Sequence, residues 1–169
     1  MKELIQLIDK MIDAEVIKNY AIFGAVAQMR YTEAVVTLDA DILIAIDNED
    51  IAVLSPVYRF CEKQGYYPEG EAIRVGAWPV QFIPAFDTLS EEAMVNAEVA
   101  DMDGLNVRVV RADYLAVMAL SVGRAKDRMR ILALLEAEAV TADDIDKLAR
   151  KYGLSGKWNS FKERFLNEE

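Results

Sequence analysis

The chain has 169 residues, of which 53% are hydrophobic, and its 29 acidic residues outnumber 19 basic ones to give a net charge of −10. That composition buries a core, rules out a disordered tail and disfavours a general nucleic-acid coat. With no histidine and a single cysteine, Cys61, the chain has no Ser-His-Asp triad, imidazole base, His-containing metal site, internal disulfide or thiolate zinc cage, so any chemistry rests on carboxylates, Lys/Arg, hydroxyls or a bound metal.

Residues 2–18 space Leu4, Ile5, Ile8, Met11 and Ile12 as one face of an amphipathic helix. A short strand follows at Ala21-Ile22-Phe23, ends at Gly24, and gives way to a short helix over 25–31. Residues 34–46 are the longest β-like run, apolar enough for a central strand covered on both faces. Asp47-Asn48-Glu49-Asp50 reads as a turn and helix cap, and a helix over 51–64 closes at Gly65. Residues 71–76 and 79–84 read as a hairpin turning at Gly76-Ala77, and Ser90 with Glu91-Glu92 starts a short helix. Asp103-Gly104 turns between strands near 98–101 and 105–110.

From Ala112 the period is helical, with helices expected at 112–122, 125–138, 142–152 and 157–167, broken at Gly123 and Gly153. The pattern is therefore an α/β core over 1–110 and a helical region over 111–169 packed on it as one unit. No stretch reaches the roughly 18–20 apolar residues of a membrane span. No signal-peptide core is visible and the lone thiol fits a reducing compartment, so a cytoplasmic protein without a membrane partner is expected.

Two features carry chemistry. In Thr37-Leu38-Asp39-Ala40-Asp41 the alternation of a strand puts Asp39 and Asp41 on one face, Cα atoms roughly 6.5–7 Å apart. There they can share one divalent cation or a pair of them; the alternative is an exposed strand end where both are simply hydrated. The second feature is Phe23-Gly24-Ala25, a strand–glycine–helix junction that aims backbone N–H groups at one spot and favours phosphate. A triphosphate held at the second would present its oxygens to the first.

Gly24-Ala25, thirteen further residues, then Asp39-Ala40-Asp41 resembles the nucleotidyltransferase signature of Gly-Gly or Gly-Ser followed by Asp-x-Asp. Residues 20–46, 78–95 and 112–135, including Gly123-Arg124-Ala125-Lys126-Asp127-Arg128, resemble minimal nucleotidyltransferase-like proteins related to the AbiEii-type toxins. The resemblance implies the polymerase-β-like fold, a mixed sheet with flanking helices and a C-terminal helical bundle. It implies transfer of a nucleoside monophosphate from an NTP to a hydroxyl with Mg²⁺ or Mn²⁺, in two-metal chemistry that needs no histidine. Asp39 and Asp41 are then the catalytic metal ligands, and Gly24, Ala25, Thr37, Arg124, Lys126 and Asp127 the nucleotide-binding residues. Arg124 and Lys126 would reach phosphates, with Asp127 orienting one of them, whereas Arg128 and Arg130 read as solvated arginines on a helix face. The implied acceptors are a tRNA 3′ end, a protein side chain or a small-molecule hydroxyl, with tRNA or another macromolecule preferred and a cognate antitoxin as a partner.

The sequence departs from that pattern at three places. Ala25 lacks a serine hydroxyl, and Ala119 stands where a lysine is usual. Gln81 stands where a third carboxylate is expected, with Glu71 or Asp87 as substitutes. These departures motivate a second reading, a catalytically weakened member that binds nucleotide or a partner without transfer. A third is a scaffold in which the Asp pair is purely structural.

Overall fold

A computed structural model describes residues 1–47 and 52–166. The expected turn and cap at 48–50, the start of the helix at 51 and residue 167 lie outside the described residues. The elements run α1 (Lys2–Asp13), β1 (Asn19–Phe23), α2 (Gly24–Gln28), β2 (Ala40–Ala45), α3 (Ser55–Lys63), β3 (Pro68–Glu69), β4 (Ala72–Val75) and β5 (Trp78–Pro84). Then follow α4 (Thr88–Val95), β6 (Glu98–Met102), β7 (Leu105–Val109), α5 (Ala112–Val122), α6 (Ala125–Glu136), α7 (Ala142–Lys151) and α8 (Ser155–Phe165).

Among the described residues, seven strands form one mixed sheet in the order β3-β4-β5-β2-β1-β7-β6. β2 is central, antiparallel to β1 and parallel to β5. Ile42, Leu43 and Ile44 are all essentially buried. Since successive side chains point to opposite faces, both faces of this strand are covered, as the apolar run predicts.

The strand is shorter than the 34–46 the sequence suggests. β1 offers partners only for Asp41 through Ala45, and β5 pairs from Ala40 onward. Residues 34–39 have no neighbouring strand in that register, so they approach the sheet as an extended loop despite their β propensity. The first helix also stops early, at Asp13, because Glu15 takes a left-handed conformation (φ 54°) that turns the chain toward β1. The hairpins turn where expected, at Gly76-Ala77 and at Asp103-Gly104. In the latter both central residues have positive φ, 57° and 78°.

The buried core runs continuously from Leu4 and Ile8 of α1 through the sheet to Leu115, Ile131, Ile145 and Trp158 of the helical region. α5 is the helix through which that region seats, touching α2, α4, α6, α7 and α8. It ends at Gly123, whose φ of 76° supplies the left-handed cap that lets the chain reverse into α6. That reversal places the α5–α6 turn at the open side of the central strands. Among the described residues no helix is long and apolar enough to cross a membrane.

Candidate active site

The site begins where β1 ends. Phe23, the last residue of β1, lies across from Asp41 in the antiparallel ladder. The next residue, Gly24, turns the chain into α2 with φ +67°. A β-carbon at Gly24 would lie 2.2 Å from Asp41 Oδ2. Asp41 therefore rests its carboxylate against the bare α-carbon, and glycine is required here both for the backbone angle and for the space. Ala25 follows as the second residue of α2; Val26, Ala27 and Gln28 are buried and anchor the turn.

Asp39 sits one residue before β2. Its main-chain oxygen accepts from the Thr37 hydroxyl at 2.9 Å, which fixes the loop just before the strand. Its carboxylate is in looser contact with Thr37 Oγ1 on one oxygen and with the Gln81 amide Nε2 on the other, each at 3.4 Å. Gln81 is the register partner of Asp41 in the parallel β2–β5 pairing. Paired residues in adjacent strands share a face, so Asp39, Asp41 and Gln81 form one polar group where β2 and β5 begin to pair.

Asp41 opens into a cavity of about 260 Å³. Its floor and sides include Phe23, Leu43, Ile83 and Phe86, and its opposite wall is the α5–α6 turn with Arg124, Lys126, Asp127 and Arg130. Burial, and then the charge of Asp39, push the pKa of Asp41 up from its ordinary value; Lys126, Arg130 and Arg124 pull the other way. Among the described residues no side chain forms an ion pair with Asp41 within 4.0 Å.

Asp127 is only 1% exposed and is fully engaged within its own turn. It accepts from the main-chain N–H of Arg124 at 3.1 Å and from Arg124 Nε at 2.8 Å, and lies 3.7 Å from Arg130 Nη1. Burial works to raise its pKa, but those hydrogen bonds and the two guanidinium charges outweigh it and hold the carboxylate below its ordinary value. Asp127 thus caps α6 and ion-pairs with Arg124 within the same turn.

The structure brings Gly24, Asp39, Asp41 and Gln81 together on one side, with Arg124, Lys126 and Asp127 facing Asp41 across the cavity. Thr37 reaches the group only through Asp39. Glu71 does not join it: that residue is exposed in the turn between β3 and β4, at the edge of the sheet. Asp87 borders the cavity, but its carboxylate accepts from the Ser90 N–H and hydroxyl at 2.7 Å each and caps α4. Among the described residues no three Asp, Glu or Cys side chains cluster as a metal cage. Gln81, where the resemblance implies a third carboxylate, pairs in register with Asp41 and turns its amide to Asp39.

Arg130 corrects the sequence reading, which placed it with the solvated arginines. Its side chain is 12% exposed and its Nε donates to Gln28 Oε1 of α2 at 3.1 Å. The signal was helical phase: Asp127, Arg130, Ile131 and Leu134 fall on one stripe of α6, and that stripe faces the core.

No protein-family model matches the chain, and no curated protein matches it. Solved structures do. The solution structure of the antibiotic-resistance factor ANT(2'')-Ia aligns over 98% of this chain and 96% of its own, with 13% identity and a TM-score of 0.55. A nucleotidyltransferase-like antigenic protein from Paracoccidioides brasiliensis aligns over 94% and 91%, with 12% identity and a TM-score of 0.54. A crystal structure of ANT(2'')-Ia in complex with adenylyl-2''-tobramycin aligns over 96% and 97%, with 13% identity and a TM-score of 0.50. At that identity the likeness is one of architecture, and across nearly its whole length this chain has the fold of the nucleotidyltransferases.

Proposed function

We propose that the protein transfers a nucleoside monophosphate from a nucleoside triphosphate to a hydroxyl acceptor, with Mg²⁺ or Mn²⁺ held by Asp39 and Asp41. One observation carries the reading. Asp41 is a half-buried carboxylate seated on Gly24, without an ion-pair partner among the described residues, and it opens into a cavity whose far wall is cationic. A carboxylate whose charge is disfavoured by burial and by a neighbouring acid is poised for a cation. The donor set suits a hard divalent ion held by one or two carboxylates together with substrate phosphates. Such an ion, when bound, neutralises phosphate charge and lowers the pKa of an attacking hydroxyl.

The remaining work falls to the chain itself. Gly24 fixes the position of Asp41, and Thr37 and Gln81 steady Asp39. Arg124 and Lys126 offer donors to phosphate oxygens from the opposite wall. The acceptor oxygen bonds to the α-phosphorus as the bond from that phosphorus to the bridging oxygen breaks. Pyrophosphate leaves and the hydroxyl proton passes to solvent. The acceptor classes are a tRNA 3′ end or protein side chain, as the resemblance to toxin relatives implies, and a small-molecule hydroxyl, as the tobramycin adduct of one structural neighbour suggests.

The test is incubation with labelled NTPs and Mg²⁺ or Mn²⁺, in turn with total tRNA, lysate protein and an aminoglycoside. Label transfer and pyrophosphate release are expected, both lost in Asp39→Asn and Asp41→Asn. Equal release by the wild type and both variants refutes the proposal. Gln81, an amide at the third position, favours a second reading in which nucleotide binds without transfer. Tight NTP binding by calorimetry with no pyrophosphate release under any acceptor would establish that reading instead.

A further inference from the structure

The cavity that takes Asp41 runs along β2 and α5, and its two ends differ in character. On β2 its wall is Asp41 and Leu43, two positions apart on one face, and Ile83, the register partner of Leu43, continues it on β5. The β5 pairing then carries the chain away from Asp41: Pro84 pairs with Ile44, and the Ala85 N–H donates to the Ile44 carbonyl at 3.0 Å. Phe86 and Asp87 come next and line the cavity beyond that point. The α5 wall is Leu115, Met118, Ala119 and Val122, one helical stripe of the same cavity. From Leu115 to Val122 is seven residues at 1.5 Å each, about 10 Å. Val122 ends α5 and adjoins the turn whose Arg124 and Lys126 face Asp41. One end of the cavity is therefore charged, and the other is apolar and closed by the Phe86-Asp87 link.

That far end carries two features the chemistry at Asp41 does not use. Phe86 is an aromatic ring left 74% exposed while lining the cavity. Asp87 beside it is fixed through one oxygen only: Oδ1 accepts from the Ser90 N–H and hydroxyl at 2.7 Å each. Among the described residues its Oδ2 accepts no hydrogen bond and meets no cation within 4.0 Å. A ring face stacks any nucleobase. A carboxylate oxygen held beside it accepts only, so it reads a donor on that base. Adenine, cytosine and guanine present an exocyclic amine, whereas uracil presents carbonyl oxygens in its place.

Building on the nucleotidyl-transfer reading, we infer that the cavity fixes the direction of the nucleotide, with the triphosphate toward the α5–α6 turn and the base against Phe86, and that the free oxygen of Asp87 selects bases bearing an exocyclic amine over uracil. The base is tethered to the phosphates, so a triphosphate held at Asp41 must lay its base along this length of wall. Phe86 supplies stacking common to all bases, and Asp87 supplies the selection.

The experiment is calorimetric titration of the full chain, in Mg²⁺, with non-hydrolysable analogues of ATP, CTP, GTP and UTP. The wild type is expected to bind the three amine-bearing analogues about tenfold or more tighter than the UTP analogue. Asp87→Asn should bring the four within about threefold, because the asparagine amide also offers a donor to a uracil carbonyl. Asparagine caps a helix as well as aspartate does, so the melting temperature should stay unchanged while the preference collapses. Phe86→Ala should weaken all four by about tenfold and leave their ratio intact. Equal affinities in the wild type, or a preference unchanged in Asp87→Asn, overturn the selection while leaving nucleotidyl transfer standing. Unchanged affinities in Phe86→Ala place the base elsewhere and overturn the direction. Absence of binding by any analogue removes this inference together with the reading beneath it.

Discussion

Gly24→Ala separates the two reasons for glycine at the head of α2. The first is backbone: φ is +67°, where an alanine is strained by about 1–2 kcal/mol. For a chain of this size that lowers the melting temperature by roughly 2–8 °C. The second is space. The new β-carbon would start 2.2 Å from Asp41 Oδ2, and real β-carbons essentially never approach closer than 3.0 Å, so the carboxylate must retreat by about 0.8 Å. A displacement near 1 Å in a catalytic group lowers turnover by roughly 10²-fold. Gly70 provides the control, with φ +66° and nothing within 4 Å of its would-be β-carbon. Gly70→Ala should show a comparable drop in melting temperature with transfer activity and Mn²⁺ affinity intact. The assay is a pair of thermal melts with pyrophosphate release and Mn²⁺ titration on the same samples. If the two alanine variants transfer equally well, the contact between Gly24 and Asp41 has no part in the chemistry.

Two further substitutions probe the charges. Asp41→Asn should raise the metal-free melting temperature at neutral pH by about 2–4 °C, because it removes a half-buried charge that Asp39 repels, while it abolishes transfer. The folded pKa of Asp41 stands above its unfolded value of 3.8, so the native state takes up the proton first. Wild-type stability is therefore regained as pH falls through the folded pKa toward 3.8, and the advantage of the asparagine variant should shrink over that window in melts run from pH 7 downward. A constant difference across that range would contradict the assignment. Asp127→Ala leaves Arg130 enclosed without its carboxylate and strips the cap from α6, and should lower stability by on the order of 3 kcal/mol in urea denaturation.

Much of the fold was legible because it rests on local signals. The central strand announced itself through Ile42, Leu43 and Ile44, and the hairpins through Gly76-Ala77 and Asp103-Gly104. Strand length was not legible. It depends on how many residues β1 and β5 can pair, and those partners are distant in sequence. The same split runs through the site. Asp41 lies on β2 inside the legible apolar run, whereas Asp39 falls one residue before the strand, so its place beside Gln81 comes from the loop and not from the strand's two-residue period. That Gln81 would stand beside Asp41 depends on the β2–β5 register, which only the resemblance hinted at, and Glu71 fell away because it sits in the exposed turn before β4 rather than on a hairpin strand.

The arginines of α6 show most clearly what composition leaves undetermined. Arg124, Arg128 and Arg130 lie within seven residues and read as one basic cluster, yet each ends in a different environment. Arg124 precedes the first turn of α6, so it meets Asp127 three residues on and stays 59% exposed toward the cavity. Arg128 points back along the chain, where its Nη1 donates at 2.8 Å to the Gly123 carbonyl and satisfies an oxygen left free at the end of α5. Arg130 falls beside Ile131 and Leu134 on the buried stripe, so it reaches inward to Gln28 and Asp127 and borders the cavity from within. Helical phase, at about 100° per residue, separates a cavity-wall cation, a helix cap and an enclosed charge within one run. This is also how a chain with a net charge of −10 gathers positive charge beside Asp41: at physiological salt, fields are screened within about 8 Å, so the local placing of Arg124, Lys126 and Arg130 outweighs the sum over the whole surface.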